Sequence, residues 1–238
     1  MRTILCTAVI LLFSSFLIAQ KSSTSQPAAK SPAKPATPAA TASAEPTAII
    51  HTTAGDMHCT LFEKQAPIGV ANFIGLAEGT KDWTNPVSHG KKHGVPLYDG
   101  TVFHRVIPEF MIQGGDPAGN GSGDPGYKFK NETSSDVKFD RPGRLAYANS
   151  GPDTNGSQFF ITEDVAHSAH LSGHYTIFGQ CDAAAVALVK QIARMSRDPS
   201  NDRPFNAVKI THIEIKHGGT STAKPGTPKP SAGVKKPT

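Results

Sequence analysis

Apolar and polar residues alternate in short stretches through the middle of this chain, and a period of three to four appears twice. Residues 48–53 (AIIHTT) and 57–62 (MHCTLF) read as strands around Ala54, Gly55 and Asp56, a hairpin signal. Residues 66–79 predict a helix. Pro67 suits its first turn, Ile68, Val70, Phe73, Ile74 and Ala77 recur near three and four apart, and Gly79 ends it. Residues 81–100 carry Pro, Gly and His without a period and read as loop. Short apolar runs follow at 101–107, 110–113, 144–148, 158–162 and 175–181, bounded by Gly, Pro, Asn and Asp. A second helix is predicted over 182–195, with Asp182 as N-cap and Val186, Val189, Ile192 and Ala193 on one face. Residues 207–216 read as a final strand, with Val208, Ile210, His212 and Glu214 on one side and Lys209, Thr211, Ile213 and Ile215 on the other. Many short strands and two distant helices predict a mainly antiparallel β-barrel whose openings the helices cover.

The ends lack such patterns. Residues 1–19 (MRTILCTAVILLFSSFLIA) hold one arginine, an apolar run and a closing small residue, the layout of a secretory signal peptide cut after Ala19. The run is shorter than the roughly 20 residues of a membrane span. An uncleaved membrane anchor is the alternative, and no later segment is apolar enough to span. Residues 20–46 and 218–238 are rich in Pro, Ala, Ser and Lys and cannot bury enough surface to offset their ordering entropy. They read as a disordered linker and a disordered basic tail around one folded domain, 47–217. The expected location is the periplasm or the extracellular space.

Charge sharpens this division. The net charge is +5, but residues 1–46 carry +3 and 218–238 carry +4, which leaves −2 for the middle. A folded surface without net positive charge argues against nucleic-acid binding. The basic tails either touch an anionic envelope surface or act as solubilising spacers. Cys6 leaves with the signal peptide. Cys59 and Cys181 either form a disulfide or serve as small buried hydrophobes.

Several candidate chemistries fail on spacing. Ser157, in NGSQFF, does not sit in G-x-S-x-G. His89, His93, His167, His170 and His174 match no zinc signature, so no metal is expected. Residues 119–123 (GNGSG) lack the lysine and helix of a phosphate loop and read as a turn. What stands out is a set of polar residues, Arg105, Gln113, Asn149 and Gln158, beside Phe103, Phe110, Met111, Phe159 and Phe160. Buried polar groups come as networks, so this set is either a satisfied core network or the wall of a binding groove.

Three stretches carry a resemblance. FHRVIPEFMIQGGD (103–116), LAYANSGPDTNGSQFFIT (145–162) and LSGHYTIFG (171–179) together resemble the cyclophilin family of peptidyl-prolyl cis–trans isomerases, and the similarity runs from about 48 to 216. The loop 81–100 and GGDPAGNGSGDPGYKFKNE resemble bacterial members. The resemblance implies an eight-stranded antiparallel closed β-barrel capped by two α-helices. It implies a monomeric isomerase that accelerates X–Pro rotation in extended polypeptides and assists folding of exported proteins, without cofactor, metal or covalent intermediate. Arg105 would be catalytic, with Phe110 and Gln113. Gln113 would bond the substrate backbone and help hold Arg105. Phe110, Met111, Phe160 and Leu171 would receive the proline ring. Ala148, Asn149 and Gln158 would line the groove, with the Asn149 backbone pairing to the peptide. His170 stands where many members have tryptophan, Tyr175 where histidine is common, and His174 where lysine or asparagine is usual. That tryptophan supports tight cyclosporin binding in the family, so weakened binding is expected here. His104 would point away from Arg105 on a strand. The alternative is a chaperone that binds proline segments, or an envelope scaffold, with little turnover.

Overall fold

The computed structural model describes residues 44–218. The signal segment, most of the linker and the tail past 218 lie outside the described residues. Strands β1 (Thr47–Thr52) and β2 (Gly55–Leu61) form the predicted hairpin, and helix α1 (Pro67–Glu78) follows. Two short paired strands, β3 (Trp83–Thr84) and β4 (Lys91–Lys92), interrupt the stretch read as loop. Next come β5 (Arg105–Ile107), β6 (Met111–Gly114), β7 (Arg144–Tyr147), β8 (Phe159–Thr162) and β9 (Ile177–Cys181). Helix α2 (Ala183–Ala193) and β10 (Ile210–Lys216) complete the order.

Eight strands form one antiparallel sheet, β10-β1-β2-β9-β7-β8-β6-β5. The sheet curls, but its edges are not joined by a full ladder as a closed barrel requires. They meet through the Val102–Lys209 bridge and the Phe103 N–H to Val208 C=O bond of 3.0 Å. β5 is only three residues long, and the chain before it runs irregularly along β10, bonding to it also from Gly100 N to Ile210 O and from Ile210 N to Thr101 O, both at 2.8 Å.

The helix signals work at the ends and less well on the faces. Gly79 closes α1 in the left-handed region at φ +74°, and the Asp182 carboxylate caps α2 by accepting from Ala185 N at 2.8 Å. On α1, however, Ile68 is 52% exposed and Asn72 is buried. Asn72 donates to Tyr147 Oη and to Gly156 O, both at 3.0 Å, and accepts from Tyr127 Oη at 2.7 Å. The first turn of α1 donates from Ile68 N and Gly69 N to the two Glu132 carboxylate oxygens at 2.9 and 2.7 Å. A carboxylate there answers the helix dipole and its unpaired amides. On β10, Ile210 and Ile213 both face inward, against simple alternation. A register shift opposite His51 and Thr52 makes Thr211 the extra residue of a bulge, which reverses the faces beyond it.

The core is a cluster of fully buried aromatics, including Phe73, Tyr98, Phe103, Tyr147, Phe159 and Phe178. Tyr147 and Phe178 approach to 4.4 Å between centroids, and Phe73 and Tyr98 to 5.1 Å. Cys59 and Cys181 are direct neighbours on β2 and β9 and form a disulfide.

His104 is 5% exposed, with its ring packed beside Gly121 in the glycine turn. Burial pushes its pKa below the usual histidine value, and the Asp116 carboxylate opposes that only in part. The folded state therefore resists protonation while the unfolded chain accepts it near pH 6.5. Stability is complete above that pH, falls as pH drops through it, and levels off below the folded pKa. Urea unfolding from pH 7 to 5 should show this loss, with a slope of at most about 1.4 kcal/mol per pH unit for one proton. His104→Asn should remove that slope. Parallel profiles for the two proteins would refute the assignment.

Candidate active site

Successive strand residues point to opposite sides of a sheet, so each strand of the core also supplies an outer face. Register places four outer-face residues in one row across four strands. Arg105 on β5 pairs with Gln113 on β6, Gln113 with Phe160 on β8, and Phe160 with Ala146 on β7. This explains an arginine in an apolar run: Val106 is fully buried, while 43% of the Arg105 side chain stays exposed on the other side.

The outer face has its own apolar cluster, built on Met111, Phe139, Ala146, Phe160, Leu171 and Ile177. Phe139 stacks on Phe160 at 5.8 Å and 12°, and Tyr175 meets Phe160 edge-on at 5.6 Å. Over it lies a cavity of about 210 Å³. Its walls unite nine residues singled out from the sequence: Arg105, Phe110, Met111, Gln113, Ala148, Asn149, Phe160, Leu171 and Tyr175. Gln158 borders an adjoining polar cavity of about 280 Å³, which shares Gln113, Ala148 and Asn149. His170 borders a further cleft of about 460 Å³, together with Leu171, His174 and Tyr175.

The polar groups are ordered by a chain of hydrogen bonds. Gln158 Nε2 donates to the carbonyls of Gly121 and Gly123 at 3.0 and 2.8 Å. That turns its Oε1 toward Gln113 Nε2, 3.0 Å away. The glycine turn is pinned on the buried Asp116 carboxylate, which accepts from the amides of Ala118, Asn120 and Gly121 at 2.7, 3.0 and 2.6 Å. Gln113 is thus engaged by Gln158 through its amide nitrogen, and the expected hydrogen bond from Gln113 to Arg105 is not present among the described residues. At Asn149 the β7 ladder has ended, and its backbone N–H and C=O carry no hydrogen bond among the described residues. An extended peptide could pair there.

An apolar, ring-sized cavity with a guanidinium at its rim and an unpaired backbone edge suits a planar, extended ligand. Residues 47–215 match the sequence model of the family described as "Cyclophilin type peptidyl-prolyl cis-trans isomerase/CLD". The chain belongs to the cyclophilin family. Its activity is peptidyl-prolyl cis–trans isomerisation. Peptidyl-prolyl cis-trans isomerase A of Mycobacterium tuberculosis is 52% identical over 170 residues, which cover 71% of this chain and 91% of that protein. Peptidyl-prolyl cis-trans isomerase B of Streptomyces anulatus is 48% identical over 169 residues, covering 71% and 95%. A solved cyclophilin-type isomerase of Cryptosporidium parvum superposes with a TM-score of 0.59 at 32% identity, covering 74% of this chain and 99% of that one. That protein was also solved in the presence of the dipeptide Ala-Pro.

Two supports of this cyclophilin groove were not read from the sequence. The turn that carries Phe110 is held by Glu163, which is nearly fully buried: Glu163 Oε2 accepts from Glu109 N at 2.9 Å, and Oε1 from Arg194 Nη1 at 2.6 Å. An acidic pair, Glu163 and Asp164, directly after the apolar run 158–162 was the available signal. The second support is Asp202, the ionic partner of Arg105 among the described residues, with Oδ2 3.8 Å from Nε. No local pattern links residues 97 positions apart. Elsewhere, Ser157 is buried and donates its hydroxyl to Gly115 O at 2.8 Å. Among the described residues no cluster of three or more His, Cys, Asp or Glu could hold a metal ion, and no helix is long and apolar enough to cross a membrane.

Proposed function

We propose that this isomerase acts on X–Pro bonds in extended polypeptides by stabilising the twisted amide with Arg105. The barrier to rotation is about 18–20 kcal/mol because the nitrogen lone pair is delocalised, and uncatalysed X–Pro exchange takes tens to hundreds of seconds. No bond is broken, so catalysis needs only tighter binding of the twisted state than of either planar form. In that state the nitrogen is pyramidal and basic. A guanidinium aimed at it stabilises only that state, and each 1.36 kcal/mol of such preference is about tenfold in rate. Arginine stays charged and is planar, and the apolar wall strengthens its field by excluding water.

The observation that carries this reading is the row Arg105–Gln113–Phe160 beside the 210 Å³ cavity. Phe110, Met111, Phe160 and Leu171 would grip the ring, Gln113 would meet the substrate backbone, and the Asn149 edge would pair with it. The Ala-Pro dipeptide named for the Cryptosporidium structure supports proline-containing substrates. A protease-coupled assay on an Ala-Pro peptide tests the reading. Binding without faster exchange would instead favour a holding chaperone.

The proposal extends to location and inhibition. The apolar leader of residues 1–19 supports export, with folding of exported proteins as the role, and a disulfide suits an oxidising compartment. A mature protein starting at Gln20 in an exported fraction checks this. The protein acts as a monomer in this reading. His170, in the cleft next to the proline cavity, offers less apolar area than an indole. Cyclosporin should therefore inhibit weakly, and His170→Trp should tighten inhibition at least about fivefold, about 1 kcal/mol of restored contact. Tight inhibition of the unaltered protein would overturn that expectation.

A further inference from the structure

The Asp202 carboxylate stands between two guanidinium groups. Its Oδ2 is 3.8 Å from Arg105 Nε, and its Oδ1 accepts from Arg197 Nε at 3.1 Å. Main-chain bonds fix where it stands. Asp202 O accepts from Val106 N at 2.9 Å, the residue directly after Arg105 on β5. Asp202 N donates to Asp198 O at 2.8 Å, and Asp198 N donates to Arg203 O at 2.9 Å. An Arg197–Pro204 bridge closes the loop at its neck. Asp202 itself is left-handed at φ +59°, a region where Asp and Asn are the best tolerated side-chain-bearing residues. The loop is thus cross-linked internally and tied to β5 next to the arginine.

We infer that Asp202 is a positioning residue for the isomerisation. It engages the Nε edge of Arg105 and leaves the terminal nitrogens for the amide in the groove. The inference rests on the assignment of Arg105 made above. Two observations shape its effect. Asp202 borders none of the three cavities along the groove, so it does not touch substrate there. The Arg105 and Asp202 side chains are 43% and 28% exposed, and a long, partly exposed ion pair adds little to stability. Preorganisation, by contrast, matters at the reacting centre, where the donor must already be aimed when charge develops on the nitrogen. Losing Asp202 should therefore lower kcat without raising KM or lowering Tm.

Asp202→Asn is the test variant, because it keeps both the size and the left-handed backbone preference. In the full chain, on an Ala-Pro peptide followed by NMR exchange, kcat should fall about tenfold, less than the roughly 100-fold that a misplaced catalytic group can cost. KM should stay within about twofold and Tm within about 2 °C, as suits loss of a transition-state interaction. In an Arg105→Ala background the same change should cost nothing more, because the two residues act as one unit. An unchanged kcat in Asp202→Asn, a rise in KM alone, or an equal further loss in the Arg105→Ala background would overturn the inference. Normal turnover of Arg105→Ala would remove the arginine assignment and this inference together. A normal Asp202→Asn beside an impaired Arg105→Ala removes only the latter.

Discussion

Arg105→Ala should leave the fold in place and lower turnover on an Ala-Pro peptide at least about 100-fold, the loss seen when one preorganised donor to a developing charge is removed. The fold should survive because the side chain is 43% exposed on the outer face and its one ionic partner among the described residues stands at 3.8 Å. Such a pair contributes about 0–1 kcal/mol. KM should move little, because the aromatic and aliphatic walls of the cavity remain to hold the ring. The deficit then falls on kcat, as expected for a group that helps only in the twisted state. Arg105→Lys should recover only part of the rate, since an ammonium keeps the charge without the planar fork that meets Asp202 and the substrate together. Near-normal turnover of a folded Arg105→Ala protein, with its circular dichroism unchanged, would refute the role.

Breaking the Cys59–Cys181 bond should produce the largest change in stability. The two residues are 122 apart in sequence, so the bond removes a large loop-closure entropy from the unfolded chain. The chain-entropy relation gives about 5 kcal/mol for such a loop, and the measured cost of losing native disulfides is about 2–5 kcal/mol. That is a large share of the roughly 5–15 kcal/mol that keeps a domain folded. Both residues are almost fully buried, so Ala is a better replacement than Ser, which would bury a hydroxyl without an assigned partner. The Cys59→Ala/Cys181→Ala protein, and the unaltered protein under reductant, should both unfold at markedly lower denaturant concentration. Neither cysteine borders the groove cavities, so turnover of the folded fraction should persist. Equal unfolding midpoints with and without reductant would sink this prediction.

Much of the molecule was legible because its signals are local. A proline at the start of α1, a left-handed glycine at its end and an Asp cap on α2 act within one helical turn, so the residues alone announce them. Alternation marked most of the strands for the same reason. The groove was legible through its motifs: Arg105, Phe110 and Gln113 lie within one hairpin, where strand geometry already puts Arg105 and Gln113 on one face. Prediction weakened where a distant residue decides a local outcome. Ile68 looked like part of the buried stripe of α1, but the bonds of Asn72 to Tyr147 and Tyr127 fix which face turns inward. The two inward isoleucines of β10 depend on a bulge that exists only against β1.

By itself the sequence determined where helices begin and end and which segments form most of the strands. These follow from periodicity and capping, whose energies are set by neighbours within a few positions, whereas the site residues came through the resemblance of three motifs to a known family. Only the tertiary structure decided the partners. Cys59 found Cys181, Glu132 capped a helix 63 residues away, Gln113 turned to Gln158, and Asp202 came to Arg105. Each pairing is worth something only at contact distance, and that distance is set by strand order and register across the whole sheet.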